Sequence, residues 1–173
     1  IVRDILIGHL PPTMFSDYRY VMVAVITAVI VFVVAYIFRD SYRKSEKTVD
    51  AVNNVFDALG LGVFTVMGAK VAIESGFTVN GILVVCLAVV TGVGGGLIRD
   101  VMLMEIPFVL KKRIYAVASI LGGTAYHLMY IRNVNVRAAS IVAVLIVFAV
   151  RILATVFKLD LPKVRFPKEE KSI

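Results

Sequence analysis

A cluster of glycines, followed closely by an arginine and an aspartate, lies in one of the most apolar parts of this chain. The segment TGVGGGLIRDVMLMEIP covers residues 91–107 and carries Gly92, Gly94, Gly95, Gly96, Arg99 and Asp100. Charged side chains at membrane depth are costly and usually functional. Glycine tolerates unusual backbone dihedral angles and lets another backbone or an ion come close. The segment therefore predicts a helix that breaks within residues 92–96 beside a pathway for ions.

Each half of this motif has a simpler interpretation. The glycines are equally typical of a close crossing between two membrane helices. Arg99 and Asp100 could both lie near the membrane interface, where arginine extends toward water and aspartate caps a helix. If they lie deeper, their adjacent side chains should point about 100° apart on a helix and pair poorly with each other. We then expect Arg99 to meet a carboxylate or carbonyls elsewhere and Asp100 to cap the half-helix after the glycines.

A weaker copy of the motif opens the chain. Residues 1–11, IVRDILIGHLP, align with residues 97–107 at a constant offset of 96, which pairs Arg3 with Arg99 and Asp4 with Asp100. The sequence therefore contains an internal repeat. The counterparts of the glycines would precede residue 1, which is Ile rather than Met. We expect one full helix and the first half of the next to lie upstream, in a segment absent from this chain.

The composition predicts an all-α integral membrane protein. Hydrophobic residues make up 60% of the chain and the mean hydropathy is +0.90, far above the values of soluble domains. A helix needs about 20 apolar residues to span a bilayer. Five runs reach roughly that length, the third interrupted by the glycines, and a half span precedes them; the full runs are 18–38, 55–73, 78–104, 115–131 and 136–157, and the half span is 1–10.

The net charge of +7 follows membrane topology and does not indicate nucleic-acid binding. Twelve basic residues fall in the segments 39–53, 105–114 and 158–173, whereas the opposite side of the membrane carries only Arg19, Arg132 and Arg137. Basic residues collect in cytoplasmic loops. We therefore expect a multi-pass protein of the cell membrane, surrounded by membrane lipid, with a cytoplasmic C-terminus.

The repeat and the spans together predict the organisation of the chain. A repeat of three spans inverts its second copy in the membrane, an arrangement common among transport proteins. The predicted units are the C-terminal part of a first three-helix repeat at 1–38, a cytoplasmic loop at 39–53, a second three-helix repeat at 54–131, an extra span at 136–157 and a cytoplasmic tail at 158–173.

Asp57 and Lys70 are further candidates for a pathway. Asp57 lies near the start of its predicted span, where an acid also complements the helix dipole. Lys70 is 13 residues further on, roughly 20 Å along a helix, where extension to the interface is the alternative.

Chemistry other than transport has little support in the sequence. His9 and His127 are too few for a convincing metal site, and no P-loop or dinucleotide pattern occurs. Ser119 and His127 would lie about 12 Å apart on one helix, too far for a nucleophile and its base. We expect no enzyme activity, no metal and no cofactor apart from a permeant ion.

The motifs TGVGGGLIRDVMLMEIP and IVRDILIGHLPP, together with FDALGLGVFTVMGAKVAIESG, give the chain a family resemblance. It resembles the prokaryotic members of the TRIC family, the trimeric intracellular cation channels, from residue 1 to about residue 157. The resemblance implies seven membrane helices, as two inverted three-helix repeats plus a seventh, and a homotrimer with one pore per subunit. It also implies an outside N-terminus and a cytoplasmic C-terminus.

The resemblance further implies a function and a set of residues. Family members conduct monovalent cations, potassium among them, and their second and fifth helices are kinked at the glycine motif and line the pore. On this chain the corresponding residues are Gly94, Gly95, Gly96, Arg99 and Asp100 in the fifth helix and Arg3 and Asp4 in the second. Some bacterial relatives with a similar domain are described as glycine transporters. A secondary transporter of a small amino acid therefore remains the alternative.

Overall fold

The computed structural model describes residues 1–37, 46–104, 106–107, 109 and 114–157, and the long elements among them are all helices. The expectation of an all-α membrane protein is confirmed. The prediction of cytoplasmic loops and a cytoplasmic tail rests on basic residues, most of which lie outside the described residues. The helices are α1 (Val2–Leu6), α2 (Thr13–Ser16), α3 (Tyr18–Ile37), α4 (Glu46–Ala72), α5 (Gly81–Met102), α6 (Ile114–Ile131) and α7 (Val136–Val156).

Four helical segments in the described part are long and apolar enough to cross a bilayer: Val52–Phe77, Gly81–Met102, Ile114–Ile131 and Val136–Val156. Helix α3 contains a shorter apolar stretch, Tyr18–Val34. The sequence predicted α3 as one of five full spans. Its side chains are exposed along almost its whole length, so it makes no core with α4–α7.

Helices α4–α7 pack side by side and build two buried clusters. The Tyr126 cluster includes Val66, Ala69, Val84, Leu87 and Tyr126, and Ile7 at the end of α1 packs against it. The Tyr115 cluster consists of Leu61, Val93, Tyr115, Ala118 and Val147. Ten of the fifteen buried positions in the two clusters are alanine or valine. Small side chains let membrane helices approach closely, which is how helices associate where lipid is as apolar as leucine.

Two glycines mark the closest helix contacts. At Gly68 on α4, an added Cβ atom would lie 2.7 Å from the Leu87 carbonyl oxygen and 2.8 Å from the Ala88 Cα atom of α5. At Gly122 on α6, an added Cβ atom would overlap the Val147 side chain of α7. These glycines therefore have the packing role that small residues have at membrane helix crossings.

The predicted break in the fifth helix is wrong. Helix α5 runs from Gly81 to Met102 and continues through Gly92, Gly94, Gly95 and Gly96. A glycine inside a helix costs only about 1 kcal/mol relative to alanine, which the packing of α5 against its neighbours exceeds. The glycines with positive φ are Gly8, just after α1, and Gly76, with φ of 92°, in the π-helical turn Ile73–Phe77 that ends the long helix begun by α4.

The turns between the later helices are set by asparagines. Asn80 caps α5 by accepting a hydrogen bond from the Leu83 backbone N–H at 3.1 Å, and Asn135 caps α7 by accepting from the Arg137 N–H at 2.9 Å. Such caps satisfy donors that the first turn of a helix leaves without partners. These caps therefore fix where α5 and α7 begin.

Candidate functional site

Three polar side chains from three helices meet at one end of the α4–α7 bundle. The Arg151 guanidinium of α7 donates a hydrogen bond through Nη2 to Asp57 Oδ2 of α4 at 3.3 Å. The Tyr115 hydroxyl of α6 donates to the other oxygen, Asp57 Oδ1, also at 3.3 Å. Both oxygens of the Asp57 carboxylate therefore accept hydrogen bonds from groups on other helices.

Arg151 is the most enclosed charge in the described residues, with 1% of its surface exposed. Its Nη2 also donates to Asn54 Oδ1 at 3.3 Å, and its Cζ lies 4.6 Å from the centre of the Tyr115 ring. Burying a charge is tolerated when a carboxylate, further hydrogen bonds and an aromatic face surround it. Asn54 in turn donates to the Thr155 hydroxyl at 3.2 Å. We name these five residues, Asn54, Asp57, Tyr115, Arg151 and Thr155, the Asp57 network.

Arg99 and Asp100 pair with each other, contrary to the expectation from their adjacency. Arg99 Nε donates to Asp100 Oδ1 at 3.0 Å, and Nη2 lies 2.9 Å from the same oxygen. Arg3 and Asp4 repeat the arrangement, with Arg3 Nε donating to Asp4 Oδ1 at 2.7 Å. The arginine side chain is long and flexible enough to turn back to a neighbour that starts about 100° away. Both aspartates are buried, whereas the Arg99 side chain is 57% exposed.

The end of α5 lies beside the Asp57 network. An added Cβ atom at Gly96 would lie 3.4 Å from the Tyr115 hydroxyl oxygen, and that hydroxyl donates to Asp57. The structure therefore brings Asp57 and Gly96, two of the residues singled out from the sequence, to the same end of the bundle, and Arg99 and Asp100 follow Gly96 on α5.

The remaining candidates lie elsewhere. Gly92 faces the middle of the bundle, where an added Cβ atom would lie 2.5 Å from Thr65 Oγ1, and Thr65 shares a 2.7 Å hydrogen bond with Ser119. Gly94 and Gly95 face open space, with no atom within 4 Å of an added Cβ.

Two further candidates are Lys70 on α4 and the pair formed by Arg3 and Asp4 on α1. Lys70 lies 3.7 Å from Glu74, and both side chains are more than half exposed. Helix α1, which carries Arg3 and Asp4, packs against α5, and its neighbour Ile7 contacts the Tyr126 cluster.

The sequence motifs pointed to neither Tyr115 nor Arg151 as a member of this site. Arg151 stands five residues before the end of α7 in an otherwise apolar helix, and a charge in such a position usually has a buried partner. That signal was available. Tyr115 carried no comparable signal, because a tyrosine near the start of a span is typical of the membrane interface.

The site is built for electrostatics and not for bond-breaking chemistry. Within the described residues, no three histidine, cysteine, aspartate or glutamate side chains lie close enough to hold a metal ion. What the arrangement offers is a set of carboxylates held in place by arginines and a tyrosine at one end of a helical bundle. Such charges act on ions that pass or bind nearby.

The chain is similar in sequence to a family model and to several known membrane proteins. A family model described as "Glycine transporter" matches residues 54–131. The UPF0126 inner membrane protein YadS of Escherichia coli K12 is 33% identical over 165 residues, which cover 93% of this chain and 74% of that relative. The UPF0126 membrane protein YvgT of Bacillus subtilis is 33% identical over 132 residues, covering 76% of this chain and 61% of that relative.

The chain is also similar in fold to solved structures. A structure from work on the structural basis for conductance through TRIC cation channels superposes with a TM-score of 0.79 at 33% identity, covering 96% of this chain and 77% of that one. The chain belongs to the TRIC family. The TRIC orthologue from Rhodobacter sphaeroides, described as a trimeric intracellular cation channel, gives the same TM-score of 0.79 at 27% identity.

Family membership confirms the resemblance inferred from the glycine motif. It also bears on enzyme activity, since these TRIC structures are of channels and not of enzymes. With an inner membrane protein among its relatives and four apolar spans of its own, this TRIC protein is a multi-pass membrane protein. The inverted arrangement of the two repeats stays a prediction.

Proposed function

We propose that this TRIC protein conducts monovalent cations, mainly potassium, through a pore within each subunit of a homotrimer. The observation that carries the proposal is the match over 96% of the chain, at 33% identity, to a TRIC cation channel. The relative from Rhodobacter sphaeroides is described as trimeric, which supports the same assembly here. The loop charges support an orientation with the C-terminus in the cytoplasm.

The charges at the end of the bundle suit passage of a cation. Asp57 and Asp100 supply negative charge, and Arg151 and Arg99 hold these two carboxylates in place. Gly94 and Gly95 leave α5 without side chains over two consecutive positions that face open space. The lack of side chains at these positions lets an ion approach the α5 backbone closely.

A secondary transporter of glycine is the second candidate. It rests on the family model described as "Glycine transporter", which matches residues 54–131. A carrier would use the same helices but would bind a zwitterion and move it by alternating access.

Recordings from the full-length protein in planar bilayers distinguish the two functions. We expect resolved unitary currents in potassium chloride, because a passive pore passes many ions per opening. Saturable uptake of labelled glycine into proteoliposomes, without unitary currents, would instead establish the carrier and refute the channel.

Replacing Arg99 by glutamine tests whether the end of α5 borders the pathway. Arg99→Gln removes the cation that lies 2.9 Å from Asp100 and leaves that carboxylate with more of its negative charge unscreened. We expect a several-fold change in unitary conductance or open probability, measured in planar bilayers. Arg137→Gln is the matched control, because Arg137 is exposed at the start of α7, far from the Asp57 network. Equally small effects of both substitutions would make Arg99 an interfacial anchor.

A further inference from the structure

A groove with a volume of about 1000 Å³ opens between α5 and α6. It lies on a face of α5 other than the one that carries Val84, Leu87 and Ala88 into the core. Most of its lining is aliphatic and comes from the first half of α5 and from α6, including Ile82, Val85, Val89, Val90 and Ile120. An aliphatic surface of this kind gives a cation no ligands, so the groove does not repeat the chemistry of the Asp57 network.

The groove is polar at one end only. Asn80, Gly81, Thr124 and His127 line it where α5 begins. The Asn80 side chain already caps α5 through the Leu83 N–H, and the Thr124 hydroxyl already donates to the Ile120 carbonyl at 2.8 Å. Among the polar side chains at this end, His127 is therefore the one whose hydrogen bonding is not accounted for.

His127 is 7% exposed, and no hydrogen bond to its Nδ1 atom occurs within the part of the chain that the structure describes. A buried N–H without an acceptor costs about 1–3 kcal/mol. The tautomer with its proton on Nε2 avoids that cost at Nδ1 and directs the N–H toward Gly81, where an added Cβ atom would lie 2.8 Å from Nε2. That N–H needs an acceptor, which the polar neighbours in the groove do not supply.

The dimensions of the groove match one leaflet of a bilayer. From Gly81 to Val90, nine residues of α5 rise about 13 Å, close to half of the roughly 30 Å hydrocarbon core. His127 lies four residues before the end of α6 at Ile131, so its imidazole is about 6 Å below the helix end. The polar end of the groove thus lies near the membrane interface and its apolar end near the bilayer centre.

We propose that this groove binds one acyl chain of a membrane phospholipid, whose ester carbonyl accepts a hydrogen bond from His127. The acyl chain fills the aliphatic part, and the ester lies at the level where a lipid passes from hydrocarbon to head group. The groove thus selects a ligand with two features: an apolar chain as long as one leaflet is thick, and one hydrogen-bond acceptor joined to that chain. Gly81 is required because a side chain at that position would occupy the space beside the imidazole.

Phospholipid retention by the full-length assembled protein tests the site. After extensive detergent exchange, native mass spectrometry should find about one phospholipid per chain. Ile82→Trp, which blocks the polar end of the groove, should lower retention about tenfold, whereas Ile141→Trp on the exposed face of α7 should not. His127→Phe should lose the lipid, and His127→Gln, which keeps an N–H donor, should recover most of it. No retained lipid in the wild type, or equal retention in the two tryptophan variants, would refute the site.

The occupant can be identified at Cys86, the only cysteine of this sequence, which lines the groove. Any other cysteine of the full-length protein is first replaced. Because the bound acyl chain covers Cys86, a lipid-soluble maleimide should modify Cys86 in liposomes faster in His127→Phe than in the wild type, and a charged, membrane-impermeant thiosulfonate should modify neither. Rapid reaction with the charged reagent would show a water-filled path. Equal protection of the wild type and His127→Phe from both reagents would show that protein, such as a second copy of the chain, covers the groove; either result overturns the proposal.

Discussion

Asp57→Ala should destabilise the protein by about 3–5 kcal/mol, the effect typical of removing one partner from a buried ion pair. The substitution deletes the carboxylate that lies 3.3 Å from the Arg151 guanidinium, while that guanidinium stays 1% exposed in the bundle. It also removes the acceptor of the Tyr115 hydroxyl. Thermal unfolding of the purified protein in detergent, followed by loss of the assembled species, measures the change.

The pair formed by Lys70 and Glu74 is the matched control for this prediction. Both of its side chains are more than half exposed, and exposed ion pairs contribute at most about 1 kcal/mol. Glu74→Ala should therefore change the unfolding temperature little. Replacing both buried partners, as in Asp57→Ala with Arg151→Met, should recover part of the loss, because no charge is then left in the bundle. If Asp57→Ala is no more harmful than Glu74→Ala, the Asp57 network does not hold the helices together.

Gly68→Ala and Gly60→Ala should have effects of opposite sign, although both glycines lie on α4. An added Cβ atom at Gly68 would lie 2.7 Å from a backbone carbonyl oxygen of α5, which cannot rotate away as a side chain can. Forcing two packed helices apart costs about 1–3 kcal/mol, and more where backbone is involved. At Gly60 an added Cβ atom meets nothing within 4 Å, so the better helix propensity of alanine should stabilise the protein by up to about 1 kcal/mol.

Comparing these two variants also shows whether the glycines of α4 serve helix packing or conduction. Unfolding temperatures should differ in opposite directions from the wild type, and size-exclusion chromatography should show loss of the assembled species for Gly68→Ala alone. Similar behaviour of the two variants would mean that α4 and α5 can separate without penalty. The glycines of this membrane protein would then serve conduction more than packing.

The glycine motif was a reliable guide to the family but a poor guide to local backbone. The spacing of three glycines, an arginine and an aspartate led to the TRIC resemblance, which the solved relatives confirm. It also predicted a broken fifth helix, whereas α5 is continuous. Glycine permits a break without requiring one, and the choice is made by the helices packed against it. Gly76, outside the motif, is where the backbone departs from helical dihedral angles.

The sequence by itself determined the class of structure, because apolar runs of about 20 residues can satisfy their backbone groups in lipid only as helices. It also determined which charges would be conspicuous, since Asp57, Arg99, Asp100 and Arg151 stand in apolar surroundings.

Only the tertiary structure decided how these charges pair. Asp57 and Arg151 are 94 residues apart in the chain, and no local pattern encodes which face of α4 meets which face of α7. Arg99 and Asp100 turned to each other because their side-chain rotamers, and not their helical spacing, set the distance between the charged atoms. Helix periodicity gives the direction in which each side chain leaves the backbone, but the partner it meets depends on how all the helices pack together.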